Sequence, residues 1–252
     1  MSDPRLAVVE SRLAGVENIL AVTGGKGGVG KSFVASALAL VGAREGRRVG
    51  ILDLDFTSPS THVILGFETG FPTEEWGIAP ADHGGLKCMS IAHFVADRPT
   101  PMRGGDVTNA LLELLAITQW GALGTLVIDM PPGLGDAALD AMRLLKRAEY
   151  VVVAGASKVV LASVRRNLEL LREAGAPVEG VLENLRRKKT KAVADLAQEF
   201  SVPFLGAIPY DETVEDALGD GNRLAATEAV KALRVAMADV RAARGERRKW
   251  KP

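Results

Sequence analysis

The sequence predicts an α/β fold with a doubly wound, mainly parallel sheet and helices on both faces. Three observations predict it. Short apolar runs rich in Val, Ile and Leu alternate with segments of helical period, the pattern of strands joined by helical crossovers. Several of these runs are apolar throughout, as strands covered on both faces are. A glycine-rich turn separates the first strand-like run from the first helical segment, and ligands of such sheets bind in the loops at the carboxyl ends of strands.

In chain order the strand-like runs are Ile19–Thr23, Val49–Asp53, Leu86–Ile91, Leu126–Asp129, Tyr150–Ala154, Val178–Leu182 and Phe204–Ile208. The helical segments are Ser32–Arg44, Val107–Thr118, Ala137–Lys146, Val159–Glu173, Lys191–Phe200 and a last one over Arg223–Ala243. Gly66–Gly85 is rich in Gly, Pro and charge without a clear period, and is expected to be a long surface excursion. In the last segment Leu224, Val230, Leu233, Met237 and Val240 form an apolar stripe. A core-facing helix explains that stripe most simply; a membrane-surface helix, given the basic end Arg247–Lys251 and Trp250, is the rival.

Composition narrows the class. The 252 residues carry 31 Lys+Arg against 31 Asp+Glu, with 47% hydrophobic and 25% charged residues. That is too apolar for a disordered chain, and the zero balance argues against a protein that coats nucleic acid. The single cysteine, Cys88, excludes an intramolecular disulfide and an all-cysteine metal site within one chain. It fits a reducing, cytoplasmic setting. The start lacks a signal-peptide pattern, and no apolar run approaches the ~18 residues of a membrane span, so membrane insertion is not expected.

The chemistry is concentrated in residues 24–32, GGKGGVGKS. Gly25-x4-Gly30-Lys31-Ser32 matches a P-loop, and it follows a predicted strand and opens a predicted helix. Here Gly25, Lys26, Gly27, Gly28, Val29 and Gly30 would wrap phosphate oxygens with backbone N–H groups, at the positive end of a helix. Lys31 should reach the β- and γ-phosphates of ATP and Ser32 should ligate Mg²⁺. Asp53 and Asp55 close the run VGILDLD, where strand alternation would put both on one side; turn or cap aspartates are the structural alternative. Asp129 closes a second apolar run, LVIDM, and matches an aspartate that holds Mg²⁺ through water. The constrained loop Met130–Asp136 follows, with Asp136 either in that switch loop or capping the next helix.

Lys26, a second lysine inside the loop, makes this a deviant Walker A motif, KGGVGKS. With it the sequence resembles the MinD/ParA/Mrp class of P-loop ATPases. The resemblance implies one P-loop ATPase domain over residues 1–252 with a basic tail at about 241–252. It implies a homodimer with ATP at its interface, Lys26 reaching across to the partner copy's nucleotide. A role for Lys26 within its own loop is the alternative. It further implies Asp53 and Asp129 as organisers of Mg²⁺, and Asp55 as the residue that positions the attacking water. Asn184 would read the base, and the chain at Pro209, Tyr210 and Asp211 would cover the other face of it. Phe33 stands where the class usually has a second hydroxyl, which removes a side-chain contact to the α-phosphate.

DxDxxxPS at residues 53–60, PMRG at 101–104, the run Trp120–Asp136 and VPFLGAIPYD at 202–211 look like the Mrp branch of iron–sulfur carrier ATPases. Many Mrp proteins carry Cys-x-x-Cys after the asparagine; here Leu185 is followed by RRKKTK at 186–191. One cysteine per chain gives a dimer two thiolates, short of the four a standard cluster uses. The segments DPRLAVVESRLAGVE, LDLDFTSPSTHVILGFE and DRPTPMRG are in turn similar to the Mrp/MinD-type HypB proteins of nickel-hydrogenase maturation, which also lack the pair. The expectation is therefore a nucleotide switch in nickel-hydrogenase maturation, partnered by a HypA-like metallochaperone and the hydrogenase large subunit. The alternatives are an iron–sulfur carrier acting with iron–sulfur assembly proteins, and a MinD/ParA-like positioning ATPase on membrane or DNA. DNA is not the expected partner: Arg186–Lys191 reads first as a solvated loop. His62, His83 and His93 are not at metal-ligand spacings and read as structural. Cys88, inside an apolar run, reads as a small buried hydrophobe.

Overall fold

A computed structural model describes residues 3–70, 72–74, 76–95 and 104–237. The chain opens with helix α1, Arg5–Leu13. Asp3 accepts from the Arg5 backbone N–H at 2.9 Å, and Val9 and Leu13 face the core. Strand β1, Val16–Gly24, runs into the glycine loop, and helix α2, Lys31–Arg44, leaves it. Then follow β2 at Val49–Asp53, α3 at Thr61–Leu65, β3 at Ala81–His83, β4 at Leu86–Ser90, α4 at Ala92–Val95 and α5 at Gly104–Ile117. The second half holds β5 at Leu123–Asp129, α6 at Asp136–Leu144, β6 at Ala148–Ala154, α7 at Lys158–Glu173 and β7 at Val178–Arg186. It closes with α8 at Ala192–Glu199, β8 at Phe204–Pro209, α9 at Thr213–Ala217, α10 at Gly221–Ala226 and a helix over residues 228–237.

Among the described residues the strands form one sheet in the order β3-β4-β2-β5-β1-β6-β7-β8. Every pairing is parallel except β3 with β4. The sheet is thus the doubly wound, mainly parallel one expected, with β1 between β5 and β6. Each face carries its own core. One is built around Leu111, Leu115 and Trp120 under α1, α5, α6 and α7. The other is built around Val34, Leu38 and Ile51 under α2, α10 and the final helix. Strands buried on both faces are apolar almost throughout, which is why Val49–Leu52 of β2 and Tyr150–Ala154 of β6 read as unbroken runs. No described helix is long and apolar enough to cross a membrane.

Three expectations are corrected. The segment 66–85 is not all excursion: Ala81–His83 pairs with Leu86–Ser90 across Gly84-Gly85, both at positive φ (61° and 86°), a two-residue hairpin that glycine permits at no steric cost. The final helix of 223–243 is broken at Thr227. Its hydroxyl donates to the Leu224 carbonyl at 2.8 Å and accepts from the Val230 N–H at 3.3 Å, ending one helix and capping the next. Leu224, Val230, Leu233 and Met237 are buried, so the stripe faces the core as far as it is described; Val240, the tail at 241–252 and residues 101–103 of PMRG lie outside the described residues. Gly135, not Asp136, takes the cap position of α6. Asp136 instead sits in the first turn, where the helix dipole favours a carboxylate.

The three histidines come from three elements, α3, β3 and α4, and converge on one ring. His62, His83 and His93 lie 6.3, 6.5 and 5.8 Å from Phe67, centroid to centroid. Among the described residues no group of three or more His, Cys, Asp or Glu could hold a metal ion. Cys88 is fully buried, and burial, with Asp82 nearby, pushes its thiol far above the usual range.

Candidate functional site

The glycine loop joins the carboxyl end of β1 to α2, and its glycines answer to different demands. A Cβ on Gly25 would come within 2.3 Å of the Ser163 backbone in α7, because that helix lies directly on the loop, with the Ser163 hydroxyl donating to the Gly25 carbonyl. A Cβ on Gly30 would come within 2.3 Å of the Asn184 amide nitrogen. Around Gly27 and Gly28 there is open space. The loop is therefore clamped at both ends and open in the middle, where an anion would lie. Lys26, Gly27 and Gly28 are exposed, while Val29 is buried.

Parallel pairing brings the carboxylates to this loop. Asp53 and Asp129 are register partners at the ends of β2 and β5, and both are fully buried. Lys31 Nζ lies 2.6 Å from Asp129 Oδ1. Asp129 Oδ2 is buried without a hydrogen-bond partner. Burial raises the Asp129 pKa to about 6; Lys31 and the Ser32 hydroxyl oppose the rise, and the neighbouring Asp53 adds to it. Such an orphan acceptor beside Ser32 fits a divalent cation and its waters; of the three residues expected to organise Mg²⁺, Ser32 and Asp129 stand together here.

Asp53 is differently placed. Its Oδ1 accepts from the Asp55 N–H at 2.9 Å, and its Oδ2 accepts from the Ser60 and Thr61 N–H groups and the Thr61 hydroxyl at 3.0–3.2 Å. Burial raises its pKa against those bonds. The strand ends at Asp53, so alternation does not carry on to Asp55 and the two do not form one facing pair. Asp53 instead holds residues 55–61 in a turn. That turn delivers Asp55 to a cavity of about 290 Å³ lined also by Lys26, Lys31, Ser32, Phe33 and Pro132. Asp55 Oδ1 is held by the Thr57 and Ser58 N–H groups and the Thr57 hydroxyl at 2.6–3.2 Å. The Asp55 side chain is thereby oriented at the cavity wall.

A second cavity, about 460 Å³, adjoins the loop at Gly28 and Val29 and reaches Asn184, Arg187 and the β6–α7 turn at Gly155–Ser157. Asn184 Nδ2 donates to the Val29 carbonyl at 2.9 Å; its Oδ1 is buried and unpartnered. Pro209 ends β8. The Asp211 carboxylate accepts from Thr213 and from the Ala229 N–H at 2.6–3.1 Å, and the Thr213 hydroxyl chiefly lowers its pKa. Asp211 thus joins α9 to the final helix, and Pro209, Tyr210 and Asp211 do not line this cavity. Sequence reasoning missed Ser163 and Arg187. A Gly-Gly pair before the loop lysine signals the close helix contact at Ser163, whereas nothing in the sequence marks Arg187 among its basic neighbours.

A strand, a glycine loop clamped to a helix and two aligned strand-end aspartates define a P-loop nucleotide site. The chain belongs to the family described as ParA, NUBPL iron-transfer P-loop NTPase, which matches residues 15–243. The iron–sulfur cluster carrier protein of Pseudomonas fragi is 45% identical over 179 residues, 69% of this chain and 62% of that protein. The one from Aquifex aeolicus is 36% identical over 226 residues, 83% of this chain and 62% of that protein. The chain thus spans about three fifths of the length of these relatives. Among solved structures, the nucleotide-binding protein of Archaeoglobus fulgidus in complex with ADP superposes with a TM-score of 0.73 at 30% identity, covering 87% of this chain and 92% of that one. MinD of Pyrococcus horikoshii, complexed with Mg-ADP, gives 0.67 at 21% identity over 89% and 96%, which speaks for the fold alone.

Proposed function

We propose that the chain is a slow, Mg²⁺-dependent ATPase whose nucleotide state switches a dimer in iron–sulfur cluster assembly. The observation that carries the nucleotide chemistry is the Lys31–Asp129 pair at the glycine loop, with Asp129 Oδ2 left unpartnered. On this reading ATP draws Lys31 onto its β- and γ-phosphates and frees Asp129. Ser32 and Asp129 would hold Mg²⁺, which supplies charge neutralisation on the phosphates. Asp53 acts mainly by holding the turn that presents Asp55, and Asp55 orients the attacking water. Phosphoryl transfer needs little beyond such positioning and charge. Lys26, exposed at the cavity mouth, reaches the nucleotide of a second copy. Asn184, in the cavity of about 460 Å³ beside the loop, takes the base.

The iron–sulfur assignment is supported by the family and by the names of the relatives, and it takes the place of the nickel reading as the main one. The nickel reading keeps one observation in its favour. Residues 186–191 hold no cysteine and Cys88 is buried, so this chain would switch a partner that brings the thiolates. The test is to trap the ATP state with Asp55→Ala and identify what it recovers from native extract with and without Mg-ATP. The variant is expected to bind ATP normally and hydrolyse it about 10²-fold or more slowly. Nucleotide-dependent recovery of iron–sulfur assembly proteins supports the proposal. Recovery of a HypA-like metallochaperone or a hydrogenase subunit instead would replace it with the nickel reading, and wild-type turnover would remove Asp55 from its role.

A further inference from the structure

The basic loop after β7 has an internal order that solvation does not explain. Leu185 sits at φ 55°, a left-handed backbone that costs a branched residue energy. There the strand turns out, and Arg186 resumes the ladder opposite Pro209, with its carbonyl accepting from the Tyr210 N–H at 3.0 Å. Arg186 is committed to its own segment: its guanidinium holds Glu183 Oε2 at 2.7 and 3.0 Å and the Thr190 carbonyl at 3.3 Å. Arg187 is not. Its Cζ lies 3.5 Å from the Tyr210 ring centroid, and it has no carboxylate partner among the described residues.

A guanidinium is planar and has two faces to stack on. One face of Arg187 is covered by Tyr210, which does not line the 460 Å³ cavity; Arg187 does line it. Asn184 stands in the same cavity with a buried acceptor, Oδ1, that has no donor. We propose that Arg187 is the base-stacking residue of this site. An aminated base lies on the open face of Arg187 and completes a three-layer stack with Tyr210, while its exocyclic amine donates to Asn184 Oδ1. The strained turn at Leu185 keeps the guanidinium in place before the ligand arrives, which lowers the ordering cost of binding. This inference rests on the nucleotide reading above and adds to it a residue drawn from the loop rather than from the motif.

The test compares two ligands that share phosphates but not a base. Mg-ADP and tripolyphosphate are titrated calorimetrically into the wild type, Arg187→Ala, Arg187→Lys and Tyr210→Ala. All three substitutions are at exposed side chains, and thermal melts check that each variant folds. Each is expected to weaken Mg-ADP about tenfold, the scale of a desolvated cation–π contact, and to leave tripolyphosphate within twofold. Arg187→Lys keeps the charge and loses the plane, so wild-type ADP affinity in that variant would overturn stacking. Equal losses for both ligands would make Arg187 a phosphate cation and overturn it as well. Failure of the wild type to bind ADP at all would instead overturn the nucleotide reading on which it rests.

Discussion

At the scale of single residues, the site depends on close packing as much as on charge. Gly25 shows this best. Phosphate binding would tolerate a small side chain at the rim of a loop, but the contact with α7 does not, since the Cβ would meet the backbone of Ser163 at 2.3 Å. Gly25→Ala is expected to destabilise the chain by about 3 kcal/mol, at the upper end of overpacking costs, as measured by urea unfolding. A loss below about 1 kcal/mol would show that α7 gives way easily. The motif residues themselves were legible: Lys31, Ser32 and Asp129 meet where spacing and strand ends put them. Asp53 and Asp55 were legible as a pair but not in their division of labour. Which carboxylate turns inward depends on where the strand stops, and three amide or hydroxyl donors from residues 60 and 61 settle that from outside the strand.

At the scale of elements, long buried strands and helices were legible because burial on both faces suppresses polar residues. The short ones were not. Helix α3 and the β3–β4 hairpin meet through contacts between elements rather than through local period, among them those of Phe67 with the imidazoles around it. His93 is 2% exposed, and its Nδ1 lies 3.1 Å from the Gly70 carbonyl. Burial lowers its pKa below the ordinary 6.5. The unfolded chain then takes up the proton more readily than the folded one, so this contribution to stability is complete above pH 6.5 and is lost as pH falls from there toward the folded value. The unfolding free energy, measured in urea, is expected to fall between pH 7.5 and 5.5, by at most about 1.4 kcal/mol per pH unit from this group. In His93→Phe, which keeps a ring against Phe67, the drop should shrink; an unchanged pH slope would place its origin elsewhere. The break at Thr227 was hidden for a related reason: the apolar stripe continues through it, and only the hydroxyl shows that two helices share one face. Thr227→Ala is expected to cost about 1 kcal/mol in urea unfolding, the usual loss for a cap.

At the scale of the whole molecule, the sheet gathers the glycine loop, both strand-end aspartates and the base cavity along one edge. Lys26 is exposed at that edge, so a second copy meeting there would close both sites together. Lys26→Ala is expected to abolish ATP-dependent dimerisation in gel filtration while the chain still binds Mg-ATP; an undiminished dimer would confine Lys26 to its own loop. The same geometry gives the chain an unlabelled reporter. All three imidazoles sit around Phe67, and His62 belongs to the helix that continues the Asp55 turn. Every histidine C–H resonance in a proton spectrum therefore originates from one neighbourhood, joined through helix α3 to the turn that carries Asp55. A nucleotide titration followed on those resonances would observe that neighbourhood, with His62 next to the turn, without isotopes or an introduced probe.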